Sequence, residues 1–271
     1  MKGFIFQLKS LNLIPVLFIV VILCLANIGH ASTTVDPSRF LFVAKPGSRV
    51  TGTIKVTNPS VQTAEVSAII YDWTLNDADR MMTSEVGTRK ESLKGLIKFN
   101  PQNFKIPPGE SQIVRFTLTA PKEGELFERR GIVFFEEKNI IQNPDGMGAN
   151  LITQVGSTIY LAFEGMRMAF NLIDARVEKG SDGKCQGVIK IANQGAGHVR
   201  YRISYKLINE KNALINENQF SEKVILPQFE RTISFPLPDR LAPGKYNLLL
   251  KLSFVGTNKS TSRTISFTVE N

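Results

Sequence analysis

Few side chains in this 271-residue chain have the types and spacing that chemistry needs. There are two histidines, His30 and His198, and two cysteines, Cys24 and Cys185. His198 directly follows Gly195-Ala196-Gly197 and reads as a turn residue. A His/Cys metal site or a Ser-His-Asp triad would rest entirely on it. Cys185, in KCQGVIKIAN (184–193), shares strand parity with Gly187, Ile189 and Ile191, which predicts a buried, inert thiol. Asp77 and Asp79 in LNDADR could contribute to a cation site, but two acids in a loop are ordinarily just solvated. Glu136 and Glu137 are adjacent on a predicted strand, so their carboxylates diverge and cannot work as a close acid/base pair. No P-loop, zinc-ligand spacing, G-x-S-x-G elbow or EF-hand loop is present. The expectation is a protein with no catalytic residues, no metal site and no cofactor.

Basic residues offer a different chemistry. Arg200, Arg202 and Lys206 form one row of a predicted strand, which suits an anionic polymer. The aromatic residues that would stack on bases, Tyr201 and Tyr205, fall on the opposite face. The row therefore reads as a solvated strand face, and nucleic acid is not expected as a partner. Arg39 opens the segment RFLFVAK (39–45) after Asp36-Pro37-Ser38. It either faces water or sits in a cleft, where a guanidinium can hold a carboxylate through two parallel hydrogen bonds.

The elements that would position these groups are almost all strands. The N-terminus has the form of a secretory signal: Lys2 and Lys9, an apolar run over 13–26 broken by Pro15, then Gly29-His30-Ala31. Cleavage after Ala31 leaves Cys185 as the only cysteine and His198 as the only histidine. No intramolecular disulfide is then possible, and no stable membrane span is expected. Beyond the signal the apolar period is two. Val50, Gly52, Ile54 and Val56 share one face, as do Ala64, Val66, Ala68 and Ile70, and Val114, Phe116 and Leu118. Turn residues such as Lys45-Pro46-Gly47 and Pro107-Pro108-Gly109 separate the runs. Residues 76–98 read as a long irregular connection.

The pattern restarts with Val199, Tyr201, Ile203, Tyr205 and Leu207, then Tyr246 to Phe254, then Ile265, Phe267 and Val269. Leu241-Ala242-Pro243-Gly244-Lys245-Tyr246 resembles the tyrosine corner of immunoglobulin-like sandwiches. About seven short strands per half predict an all-β chain of two immunoglobulin-like sandwiches. The expected divisions are a signal peptide over 1–31, a first domain over 32–166 and a second over 167–271.

One pair of segments stands out, ERRGIVFFEE (128–137) and LITQVGSTIYLAF (151–163). Both read as long strands of a hairpin, and the second is apolar or small on both faces for much of its length. Such a strand is either buried on both sides or keeps an apolar row for a partner.

The order Arg39-Phe40-Leu41-Phe42, TGTIKVTNPSVQTAEVSAIIYDW (51–73), IPPGESQIVRFTL (106–118) and RRGIVFFEE (129–137) resembles the first domain of PapD-type periplasmic pilus-assembly chaperones. Pro108-Gly109 followed by Arg115 matches that family's turn. The resemblance covers about residues 35–165 and implies a chaperone of pilus or fimbrial subunits in the periplasm. Such a protein lends its last first-domain strand to a subunit whose own sandwich lacks one, and an outer-membrane usher is a possible further partner. By position, Leu151, Thr153 and Val155 would insert into the subunit, while Ile159, Leu161 and Phe163 close the chaperone's own core. Arg39 matches the arginine that anchors the subunit's terminal carboxylate. Tyr160 stands where the family has an anchoring lysine, and a phenol can hydrogen-bond a carboxylate without neutralising it. The alternative is a structural or adhesive envelope protein that binds a surface protein or glycan. In that case Leu151 to Val155 would be paired or covered within the fold.

Overall fold

The computed structural model describes residues 33–124, 126–142, 148–180 and 184–270. The expected signal, 1–31, lies outside them. The described residues form strands and no helix. In chain order the first ten strands are β1 (Thr34–Asp36), β2 (Arg39–Ala44), β3 (Arg49–Thr57), β4 (Ala64–Leu75), β5 (Met81–Glu85), β6 (Ile97–Asn100), β7 (Asn103–Ile106), β8 (Ser111–Thr119), β9 (Arg129–Gln142) and β10 (Gly148–Phe163). They make a sheet β1-β3-β8-β6 facing a sheet β2-β10-β9-β4-β5, with β7 also paired to β4. Every neighbour pair is antiparallel except β2 and β10, which run parallel.

The rows picked out by their period of two are the rows that meet between these sheets. Ile54, Val56, Ala64, Val66, Ala68, Val114, Phe116 and Leu118 are all buried, together with Ile159, Leu161 and Phe163 of β10. Gly52 sits in the middle of β3 for a steric reason. A Cβ there would come within 2.3 Å of the Phe116 ring, which packs edge-on against Phe40 and Phe42. With Phe40 and Phe42 turned inward, β2 must present Arg39, Leu41 and Val43 outward.

The second set of strands is β11 (Phe170–Lys179), β12 (Cys185–Asn193), β13 (Val199–Asn209), β14 (Leu214–Gln219), β15 (Lys223–Ile225), β16 (Glu230–Pro236), β17 (Gly244–Phe254) and β18 (Ser260–Val269). They form the sheets β11-β12-β16 and β14-β13-β17-β18, with β15 also on β13. Val199, Tyr201, Ile203, Tyr205 and Leu207 pack with Leu248, Leu250 and Leu252 in this second core. Cys185 is half-buried against its edge, less enclosed than its parity predicts. The tyrosine corner closes as its spacing suggests, with the Tyr246 hydroxyl donating to Ala242 O at 2.8 Å.

The segment 76–98 departs from expectation. Met81–Glu85 is the edge strand β5 on β4, Ile97 begins β6, and Leu93 is fully buried. The buried carboxylate of Asp72 organises the stretch between them, accepting from Gly87 N, Arg89 N and Ser92 Oγ at 2.6–3.0 Å. An edge strand exposed on both faces carries no alternation to read, and the anchoring acid lies in the preceding strand.

A third cluster joins the two sandwiches. Trp73, Ile132 and Tyr160 of the first pack with Leu226 and Phe229 of the second. At one end the 76–80 loop docks on Arg231, which donates to Asn76 O at 3.1 Å and lies 3.4 Å from Asp79 and 3.7 Å from Asp77. Asp77 is fully exposed, as the sequence suggested, whereas Asp79 is partly enclosed against Arg231.

Candidate functional site

Two features adjoin this interface: the outer edge of β10 and the cleft above the interdomain cluster. Along its length β10 pairs with β9 from Gly148 to Leu161. On its other side β2 pairs only from Thr158 to Phe163. Among the described residues, the outer backbone edge of 148–157 therefore has no strand paired to it. Leu151 and Ile152 on this stretch are 49% and 53% exposed, while Thr153 and Val155 are half-buried. An unpaired edge with apolar side chains is a ready template for another extended chain. Leu151, Thr153 and Val155 share the parity of Ile159, Leu161 and Phe163, so one strand runs from the domain's own core out to an open edge. Gly156 separates the two parts. A Cβ there would lie 2.8 Å from Ile132 and Phe134, whose side chains line the interdomain cluster.

The cleft is built by the outward row of β2 and the neighbouring row of β10. Arg39 pairs in register with Thr158, and Leu41 with Tyr160. Tyr160 is only 6% exposed: Trp73 meets it edge-on at 5.7 Å, and the His198 ring packs on it at 4.3 Å. Burial is the main cause pushing its phenol up to about 12, and the Glu128 carboxylate adds to it. The group is therefore a neutral hydroxyl at ordinary pH, in the wall between the domains. Arg39 and Arg200 lie within its electrostatic reach. Arg39 itself is 44% exposed and faces Glu222 of the second sandwich at 3.9 Å. Arg39 and Tyr160 thus belong to one cleft, whereas Leu151, Thr153 and Val155 lie further along β10.

His198 lies in the turn that its sequence suggests and also reaches across to the first sandwich. Buried Asn193 accepts from Gly195 N at 2.9 Å and donates to Gly197 O at 2.8 Å, which fixes the 195–198 turn. That turn meets Glu128, whose N–H donates to Ala196 O and whose Oε2 accepts from His198 N at 3.1 Å. The His198 Nδ1 lies against the same oxygen. Arg130 joins Glu128 to Glu91 beneath, with its guanidinium over the Trp73 ring at 5.5 Å. Burial lowers the pKa of Arg130, and the two carboxylates oppose that shift. Glu128, His198 and Glu222 come from segments distant in sequence, and no local signal marks them as partners. Arg200 and Arg202, read as a solvated row, turn into the cleft toward Glu222.

No protein-family model matches the chain, and no curated protein is similar to it in sequence. Solved structures are similar. A chain from the chaperone–tip adhesin complex of CFA/I fimbriae aligns with a TM-score of 0.50 at 13% identity, over 87% of this chain and 99% of that one. The class 5 fimbriae chaperone CfaA gives 0.49 at 15% identity over 86% and 99%, and the YadV chaperone 0.48 at 10% over 88% and 100%. The likeness is one of fold, and the fold is the two-sandwich architecture of the PapD type.

Proposed function

We propose that this chain is a periplasmic chaperone for a pilus- or fimbria-type subunit, capping an incomplete sandwich with the free edge of β10. The observation that supports this reading most is the change of pairing along β10. Residues 158–161 are enclosed between β2 and β9, whereas 148–157 pair with β9 alone among the described residues. An extended subunit segment would gain main-chain hydrogen bonds along that edge. Alternate side chains Leu151, Thr153 and Val155 would set its register. Arg39 would hold the subunit's terminal carboxylate, with Tyr160 as a neutral wall beside it. Export by a signal over 1–31, domains over 32–166 and 167–271, and hand-over to an outer-membrane usher belong to the same proposal.

The fold also resembles those of proteins solved with such partners. One similar structure is named as a chaperone–tip adhesin complex, which is the kind of assembly proposed here.

The test is expression of the chain in a periplasm with the proteins encoded beside it. A stoichiometric complex with an incomplete-sandwich subunit is expected, and Val155→Asp abolishes it. Leu151→Asp is the second variant, because Leu151 is more exposed and its replacement leaves the core untouched. Binding of a fully folded partner or glycan, indifferent to both changes, overturns the proposal in favour of an adhesive role.

A further inference from the structure

Glu222 lies just before β15, outside the strand ladder, and its carboxylate meets three arginines from both sandwiches. Oε1 accepts from Arg200 Nε at 2.6 Å and lies 3.9 Å from Arg39 Nη1. Oε2 lies 3.6 Å from Arg202. Arg200 is the most enclosed of the three, with its side chain 18% exposed. One carboxylate cannot saturate three guanidinium groups, each with several donors in a fixed fork. The two long contacts, to Arg39 and Arg202, are the ones a shorter and better aligned anion would improve on. A groove of about 440 Å³ shares Arg200 with this cluster and is also lined by Leu41, Phe170, Val199 and Phe254. Apolar walls around one end of a cationic cluster reduce competition from water for a bound carboxylate.

We propose that Arg39, Arg200 and Arg202 form a carboxylate seat that Glu222 occupies in the free protein. Arg200, from the second sandwich, supplies the second cation of the seat. Glu222 is an internal competitor that an incoming chain-terminal carboxylate displaces. This rests on the reading of Arg39 as an anchor, and it adds the residues that set the strength of that anchor. Glu222 also ties Arg39 to the second sandwich, so displacement frees one of the contacts that fix the cleft's width.

The probe is the dipeptide N-acetyl-Val-Phe with a free carboxylate, set against its carboxamide. Each is titrated into the mature chain while the arginine Nε–Hε signals are followed by NMR. The carboxylate form shifts Arg39 and Arg200, and the amide does not. Glu222→Gln binds the carboxylate roughly five-fold tighter than the parent, the scale of a partly exposed ion pair. Arg39→Ala and Arg200→Ala each weaken it about tenfold. Glu222→Ala replaces the glutamine variant if thermal unfolding shows the latter to be misfolded. Equal binding of amide and carboxylate, or no gain on neutralising Glu222, overturns the proposal. No fibre subunit takes part, so failure to capture one counts against the chaperone reading and leaves the seat standing. Unchanged dipeptide binding in Glu222→Gln removes the competitor while leaving the chaperone reading in place.

Discussion

The Tyr160 ring packs on the His198 ring across the two sandwiches, with centroids 4.3 Å apart and planes tilted by 36°. One residue belongs to the last strand of the first sandwich, the other to the turn that opens β13 of the second. Their contact puts an aromatic seam where a movable cleft would otherwise be wet. The strand that offers an edge for a partner is thus the same strand that fastens the domains together.

Alkaline stability follows from this burial. A free tyrosine ionises near pH 10, whereas Tyr160 is pushed up to about 12. Above pH 10 the unfolded chain releases this proton and the folded chain holds it. The contribution is therefore complete below pH 10 and is lost as pH rises through the folded value. Between pH 9 and 11.5 the wild-type chain should lose about 2 kcal/mol more stability than Tyr160→Phe. Denaturant melts at both pH values measure it, and equal losses in the two proteins contradict it.

Glu128 should be costly to remove. Its carboxylate is almost wholly buried, accepts from His198 N and lies 3.9 Å from Arg130. Glu128→Ala leaves the buried Arg130 guanidinium with Glu91 as its one carboxylate and strands the His198 backbone N–H, and should destabilise the chain by about 2–4 kcal/mol. Arg130→Met should then cost less than it does in the parent chain, because one of the guanidinium's two carboxylate partners is already gone. The single tryptophan, Trp73, lies beneath Arg130 and reports the transition by fluorescence. Strict additivity of the two changes would show that the charges do not interact.

Arg231 fastens the other end of the interface. It donates to the carbonyls of Leu75 and Asn76, faces Asp77 and Asp79, and lies over the Phe229 ring. Arg231→Ala should cost about 1–2 kcal/mol and leave both sandwiches folded. Trp73 should then become more accessible to acrylamide quenching. An unchanged quenching constant would mean that the 76–80 loop does not hold the domains together.

The exposed pair Leu151 and Ile152 lies on opposite faces of an unpaired edge, the arrangement that favours strand-to-strand association. The free chain should therefore self-associate as its concentration rises, and Ile152→Lys should suppress this. Stability should change by less than about 0.5 kcal/mol, since the side chain is outside the core. Sedimentation velocity distinguishes the cases, and a wild-type chain that stays monomeric throughout refutes the idea.

Periodicity made the two cores legible, because a half-buried strand writes its inner face into every second residue. The rows Ile54/Val56, Ala64/Val66/Ala68 and Leu248/Leu250/Leu252 were readable for that reason. The inward row of Ile159, Leu161 and Phe163 on β10 is the one that the family resemblance implied. The interdomain contacts were not readable. Glu128 and His198 are 70 residues apart, and each is an ordinary polar residue in its own segment. Arg200 and Arg202 alternate with core tyrosines, as they would on any solvated strand. The run into β15, on the same sheet, brings Glu222 to that row, and the placement of the first sandwich adds Arg39. The same holds for Leu93, whose burial depends on Asp72 gathering a loop that has no pattern of its own.

The tyrosine corner gives the most local test, since its two partners are four residues apart. Tyr246 is nearly buried, its ring stacks on Phe267, and its hydroxyl donates to Ala242 O at 2.8 Å. Tyr246→Phe keeps the ring and the packing but leaves the carbonyl without this donor. The expected loss is about 1 kcal/mol, the net worth of one ordinary hydrogen bond. Removing the ring as well, in Tyr246→Ala, should cost about 3–5 kcal/mol through the cavity it leaves. Denaturant unfolding of the two variants separates the terms. If phenylalanine proves as damaging as alanine, the hydroxyl carries the corner and the stacking on Phe267 contributes little.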